Sequence, residues 1–286
     1  MKIGLVTDSA SDISFEFANK HNIKIAPLHI SFDGEEYRED ESFDFDTYYQ
    51  NFENRDLFKV NTAQPSPGEF LEKYQELVDE GHDYIICATI SSGLSGTYNS
   101  AVMASRQVME DHDIQVAVVD SKSASVSVVY LIELALKMID DHAEPEEIVA
   151  AMEKRAQKVE TYLVLPTLKY LRAGGRVSMP KFLLGRLFGL KPITYVEKTE
   201  GKNEAIATTR NMENGLQKIY NFTTDKGTKF ANHYSITHTN DEELAKKMVA
   251  IIRANQPDVE IRITRARSSI SAHAGPGAVA LISLFD

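Results

Sequence analysis

The residues best suited to chemistry gather in Ile90-Ser91-Ser92-Gly93-Leu94-Ser95-Gly96-Thr97-Tyr98, a run made almost entirely of small and hydroxylated side chains. Before it, Tyr84 to Thr89 is short, apolar and partly β-branched, the pattern of a buried parallel strand. After it, Tyr98, Ala101, Val102, Ser105, Val108 and Met109 recur at helical spacing. A strand that passes through Ser and Gly into a helix N-terminus sets backbone N–H groups and the positive dipole end at the strand's carboxyl edge. That geometry favours an anion. Ser95 is the expected N-cap, Ser92 adds a hydroxyl donor from the same loop, and Gly96 completes it. An ordinary capped βα turn is the plainer reading of the same residues.

A second candidate lies near the C-terminus, in Ile270-Ser271-Ala272-His273-Ala274-Gly275-Pro276-Gly277. Gly275 and Gly277 around a proline are expected to free backbone N–H groups for close approach to a ligand, with the His273 ring beside them. Cys87 is the single cysteine, so no disulfide can form within the chain. Its place in an apolar strand predicts a buried, inert thiol. The eight histidines show no ligand spacing, and no metal site is expected.

These groups need elements to hold them. The 286 residues allow two modest domains, with 43% hydrophobic and 26% charged residues, ordinary for a globular protein. The net charge of -11 argues against a nucleic-acid binder. The sequence opens on a strand, Lys2 to Thr7, with no charged and apolar leader before it, and the apolar helix from Val126 to Met138 is interrupted by Glu133 and Lys137. A cytoplasmic protein is therefore expected.

Strands and helices alternate up to about residue 158, which predicts a parallel-sheet α/β domain over residues 1–160. Expected elements include a helix from Ile13 to His21 capped by Ser11 or Asp12, one strand from Ile23 to Ile30, and a short helix from Asp46 to Asn54. Ser66 and Pro67 open a helix running to Glu80. Polar loops around Ser9, Thr62, Ser92 and Ser121 should gather at the carboxyl edge of the sheet, where ligands bind in open α/β folds. None has a dinucleotide or P-loop glycine pattern.

Residues 161–286 read as a second α/β domain with a mixed sheet. From Thr161 to Val196 there are Lys169, Arg172, Arg176, Lys181, Arg186 and Lys191 and no acid, a marked asymmetry in so acidic a chain. Residues 179–190 form a short, very apolar stretch with basic residues. It reads either as a mobile lid over an apolar ligand that touches a membrane surface, or as a core helix with snorkelling basic side chains.

Taken together, the motifs have a family resemblance. Thr7-Asp8-Ser9, Thr62-Ala63-Gln64-Pro65-Ser66-Pro67-Gly68, Ser91 to Tyr98, Tyr170-Leu171-Arg172-Ala173-Gly174-Gly175-Arg176-Val177-Ser178, Lys191-Pro192-Ile193 and His273-Ala274-Gly275-Pro276-Gly277 occur in the order seen in the DegV family. The chain closely resembles these fatty-acid-binding proteins over essentially its whole length. The resemblance implies a two-domain α/β carrier, not an enzyme. It would hold one long-chain fatty acid between its domains and present it to a separate fatty acid kinase. The acyl-phosphate would then be carried onward toward phospholipid synthesis, with no other cofactor.

Carried over by residue, Thr62 and Ser95 match hydroxyls that hold the carboxylate, and His273 matches a histidine of the same network. Arg172 and Arg176 lie in the family's basic Gly-Gly-Arg segment, assigned here to kinase docking. After Asp120-Ser121 the chain has Val126, Ser127 and Val128 where relatives often place glycines. The competing reading is a lipid hydrolase with Ser95 or Ser92 as nucleophile and His273 as base. Gly93-Leu94-Ser95-Gly96-Thr97 falls one residue short of the nucleophile-elbow pattern, with Thr97 in place of the second glycine.

Overall fold

The structure is a computed structural model that describes residues 1–32, 34–50, 60–178 and 189–286. The chain divides into two compact units, Met1–Phe43 with Thr62–Gln157, and Asp44–Asn61 with Lys158–Asp286.

In chain order the elements are β1 (Ile3–Asp8), α1 (Phe15–Lys20), β2 (Ile23–Ala26), β3 (His29–Phe32), β4 (Glu35–Arg38), α2 (Phe45–Gln50), β5 (Asn61–Ala63), α3 (Pro67–Asp79), β6 (Tyr84–Thr89), α4 (Thr97–Asp111), β7 (Gln115–Asp120), α5 (Val126–Asp140) and α6 (Pro145–Lys158). In the first unit β2-β1-β6-β7 form a wholly parallel sheet. All six residues of β6 are buried, as its unbroken apolar run requires of a central strand. Val6, Ile85 and Cys87 pack against Phe70, Tyr74 and Leu77 of α3 and against Ala101, Ala104 and Val108 of α4. Each large side chain in that layer contributes about 1.5–3 kcal/mol by leaving water. From β1 the chain first adds β2 on one side and later β6 on the other. The crevice outside their carboxyl ends is thus a topological switch point.

Two expectations are corrected here. The single strand from Ile23 to Ile30 is broken at Pro27, which lacks the N–H a ladder needs, so β2 joins the parallel sheet and β3 a small sheet of order β4-β3-β5. The first helix begins later than Ile13. Ser9–Ser11 form a 3-10 turn, and Ser14 caps α1 by accepting from Phe17 N at 3.1 Å.

The second unit continues with β8 (Val159–Val164), α7 (Lys169–Ala173), β9 (Val177–Ser178), β10 (Lys191–Val196), β11 (Asn203–Thr209), α8 (Met212–Thr223), β12 (His233–His238), α9 (Glu242–Asn255), β13 (Glu260–Arg265), α10 (Ser268–Ala274) and β14 (Val279–Leu284). One mixed sheet runs β13-β12-β14-β8-β10-β11-β9. Its core joins Val164, Ile193, Ile236 and Leu281 of the sheet to Leu216 and Ile219 of α8 and Met248 and Ile252 of α9. A boundary at residue 160 would cut through β8, whose pairing with β14 and β10 makes it an inner strand of this sheet.

The segment Asp44–Asn61 groups with this unit through α2. Tyr48 Oη lies 3.1 Å from Ser271 Oγ, the Tyr49 hydroxyl donates to the Ala266 carbonyl, and Asp46 pairs with Arg265 at 2.7 Å. Residues 51–54 of the helix expected here, and 179–188 of the expected lid, lie outside the described residues. No helix among the described residues is long and apolar enough to cross a membrane.

Candidate anion-binding loops

At the switch point of the first unit the loops are tied to one another by carboxylates and hydroxyls. The buried Asp8 carboxylate ends β1 and accepts from Ala10 N at 3.0 Å and from Ile90 N at 2.8 Å, fixing where the β6 loop departs. Ser91 N donates to Ser123 O at 2.8 Å, and Ser125 N to Ala10 O at 2.9 Å, so the loops after β1, β6 and β7 form one surface. This is where the expected loops around Ser9, Ser92 and Ser121 meet.

Individual donors differ from expectation. The Ser92 hydroxyl donates to Asp120 Oδ2 at 2.5 Å and its N–H reaches Asp120 Oδ1 at 3.2 Å, while Lys122 Nζ stands 3.0 Å from the same carboxylate. The Ser92 proton is therefore committed within the loop. Gly96, not Ser95, caps α4, and no side chain caps that helix. Ser95 Oγ accepts from Thr97 N at 3.3 Å and sits 2.8 Å from Thr97 Oγ1. Two hydroxyls that share one hydrogen bond keep one proton to give a ligand at the start of a fifteen-residue helix. A Cβ on Gly96 would stand 2.6 Å from Gln64 Nε2, so the Gln64 carboxamide lies on Gly96. Thr62 lies partly buried in β5, two residues before Gln64.

Two features were not visible as site features in the sequence. Asp12 and Lys122 have φ of 56° and 52°, and Ser125 has φ 60° with ψ -144°, a conformation that suits glycine. The Ser125 hydroxyl donates to Asp12 Oδ2, which holds the strained turn at the α5 N-terminus. Asp8 and Asp120 were legible only as polar residues ending strands. Burial pushes the Cys87 thiol up to about 12, so it stays protonated and inert.

In the second unit His273 lies in the last turn of α10, not in a loop. Its Nδ1 packs so close to Gly174, which ends α7, that a Cβ there would stand 2.5 Å away. Burial, and secondarily the Arg176 charge, lowers its pKa to about 4, so the ring is neutral at neutral pH. The Arg176 guanidinium donates to the Gly174 carbonyl, which places this arginine beside His273. Arg172, by contrast, is exposed.

The glycine loop is built differently from the expectation of free donors. Gly275 N donates to Ser271 O and Gly277 N to Thr239 O, each at 2.8 Å, and Ala278 N donates to Thr239 Oγ1 at 2.8 Å. Both glycines instead serve conformation, with φ of 76° and 75°. Gly275 also lies under the Tyr170 ring, where a Cβ would come within 2.0 Å. Among the described residues no group of His, Cys, Asp and Glu could hold a metal ion.

The class is thus a two-unit α/β protein, a parallel sheet and a mixed sheet, with polar loops gathered at strand ends. The chain belongs to the DegV family: the family model described as "Uncharacterised protein, DegV family" matches residues 2–286. A DegV domain-containing protein of Staphylococcus aureus is 32% identical over 288 residues, covering 98% of each chain. Among solved structures, a DegV family protein from Eubacterium eligens loaded with heptadecanoic acid is 29% identical with a TM-score of 0.85, covering 99% of this chain and 100% of that one. The Fatty Acid Kinase B3 protein of Streptococcus pneumoniae, loaded with linoleic acid, is 25% identical with a TM-score of 0.84, covering all of both chains.

Proposed function

We propose that this chain is a carrier that binds one long-chain fatty acid and presents it to a separate kinase, which phosphorylates the carboxylate. The carrier has no bond-making chemistry of its own, and the acyl-phosphate passes onward to phospholipid synthesis. The observation that carries this reading is the start of α4, which has no side-chain cap and is fronted by the Ser95–Thr97 hydroxyl pair with Gln64 laid over Gly96. Neutral hydroxyls and a helix dipole suit a head group that alternates between carboxylate and phosphate, because neither form has to leave a fixed ion pair. Thr62, Ser95 and Gly96 hold the head group in this reading, and Ser92 acts through Asp120. His273 contributes as a neutral ring, with Gly275 and Gly277 shaping its surroundings. Arg172 remains the docking residue of the basic segment, whereas Arg176 works beside His273. The fatty-acid-loaded relatives support the ligand class, and the Fatty Acid Kinase B3 relative supports the partner.

The test is native mass spectrometry of the purified chain with identification of the extracted lipid. One fatty acid per chain is expected. A lipid-free chain that also fails to take up added long-chain fatty acids overturns the reading.

A further inference from the structure

The mixed sheet ends on β9 at one side and on β13 at the other. An edge strand offers a row of unpaired backbone groups, and proteins blunt such edges by shortness, bulges or proline. β9 is two residues long and is blunted in that way. β13 runs for six residues in unbroken parallel register with β12 and contains no proline. Among the described residues, the backbones of Glu260, Ile261, Ile263 and Thr264 have no partner outside β12.

The side chains of this edge carry both charge signs and an apolar stripe. Val259 and Ile261 are half-buried against the core of their unit, whereas Ile263, on the same face, is 42% exposed. Glu260 is exposed, with Oε2 at 3.1 Å from His233 Nδ1 of β12 and Oε1 without a partner among the described residues. The contacts with α2 begin at Arg265, at the far end of the strand.

Pairing two copies antiparallel across a two-fold axis keeps each face of the sheet on its own side. A residue can then oppose only one that lies an even number of positions away. Centred on Glu260, Arg262 or Arg265, β13 would set like charges against each other on the axis. Centred on Ile263 or Thr264, it would set an isoleucine against Arg265. Centred on Ile261, it sets Glu260 opposite Arg262 and Val259 opposite Ile263, each twice, with Ile261 meeting itself on the axis. Opposite charges then pair on one face and apolar side chains on the other.

We propose that β13 is a self-association edge, through which two copies of this chain pair antiparallel about Ile261 and join their mixed sheets into one. The join adds roughly four to six backbone hydrogen bonds. It is small, so the dimer is weak and concentration-dependent. The inference is independent of the fatty acid reading, since neither the contact nor its test involves a ligand.

The experiment is sedimentation velocity on the full chain from about 5 to about 300 µM, the range in which small interfaces associate. A monomer giving way to a dimer is expected. Glu260→Arg and Arg262→Glu each place like charges opposite one another at both symmetric positions, and each should weaken the dimer at least tenfold. Mixing the two variants restores an opposite-charge pair at both positions, so the mixture should form a dimer at wild-type concentrations. A variant that merely folds poorly would not be rescued by mixing, and thermal unfolding of each variant alone checks its fold. A wild-type chain that stays monomeric throughout overturns the proposal. So does a dimer that both variants retain, or a pair of folded variants that fail to associate when mixed.

Discussion

Two glycines near the candidate loops show how differently one atom acts. Gly275 combines φ of 76° with the Tyr170 ring, so Gly275→Ala meets backbone strain and a clash with a packed aromatic at once. The expected loss is about 2–4 kcal/mol, read from urea unfolding midpoints. Gly96 has φ of -74°, which any residue adopts, and the nearest atoms to its added methyl would be the movable end of Gln64. Gly96→Ala should leave stability within about 0.5 kcal/mol while displacing the carboxamide and weakening fatty acid binding. A stability loss at Gly96 as large as that at Gly275 would contradict this division. His273 makes a pH prediction with a definite sign. In the folded chain its ring takes a proton only near pH 4, whereas in the unfolded chain it does so near 6.5. Its neutral burial therefore costs nothing above pH 6.5, and stability falls by up to about 3 kcal/mol as pH drops toward 4. His273→Asn should flatten that limb in unfolding midpoints taken from pH 7 to 4. An unchanged slope would mean the ring is hydrated in solution.

Among the elements, α3 carries a device that is both local and long-range. Ser66 and Glu69 form a capping box, with Ser66 N donating to Glu69 Oε2 at 2.9 Å and Glu69 N donating to Ser66 Oγ at 3.3 Å. Glu69 also meets His29 Nε2 of β3 at 2.9 Å and Arg38 at 3.7 Å. Burial alone would raise the Glu69 pKa, but the bonds from Ser66 and His29 outweigh it and hold the carboxyl below its ordinary value. Ser66→Ala should cost about 1 kcal/mol. In a double-mutant cycle with His29→Gln the two losses should fall short of additive, because both changes act on one carboxylate. Strict additivity would show that the cap and the β3 contact are independent. Ser66 and Pro67 were readable in the sequence because capping is written in adjacent residues, and β6 because an unbroken apolar run has one meaning in a parallel sheet. The break at Pro27 is equally local, but the apolar residues on either side of it read as one continuous strand until the two halves are seen in different sheets. What the sequence withheld depends on distant partners. β8 reads Val-Glu-Thr-Tyr-Leu-Val with no regular alternation, and its inner place is set by pairing with β14 and β10. The serine-rich α10 has weak helical propensity and is held by Tyr48 and by α7. The donor roles of Ser92 and Gly277 turned on Asp120 and Thr239, residues that no spacing connects to them, whereas Gly275 N closes the last turn of α10 onto Ser271.

For the molecule as a whole, a net charge of -11 sets a constraint on the proposed ligand. A fatty acid brings one more negative charge to an acidic body, so long-range attraction cannot supply its affinity. The head group gains only a few local donors at the start of α4, each worth about 1–3 kcal/mol as a charge-assisted bond. Most of the binding free energy must then come from the acyl chain, at about 0.8 kcal/mol for each buried CH₂. In a series of saturated fatty acids, two added carbons should tighten binding by roughly tenfold until the apolar site is filled, after which affinity levels off or falls. Added salt should leave that affinity unchanged or raise it, by screening the repulsion between ligand and chain. Competition between chain lengths, followed by native mass spectrometry at two salt concentrations, measures both effects in one experiment. A flat response to chain length would place the affinity in the head group, and binding lost with salt would place it in an ion pair. Either result would contradict a carrier that recognises its ligand chiefly by the length of its tail.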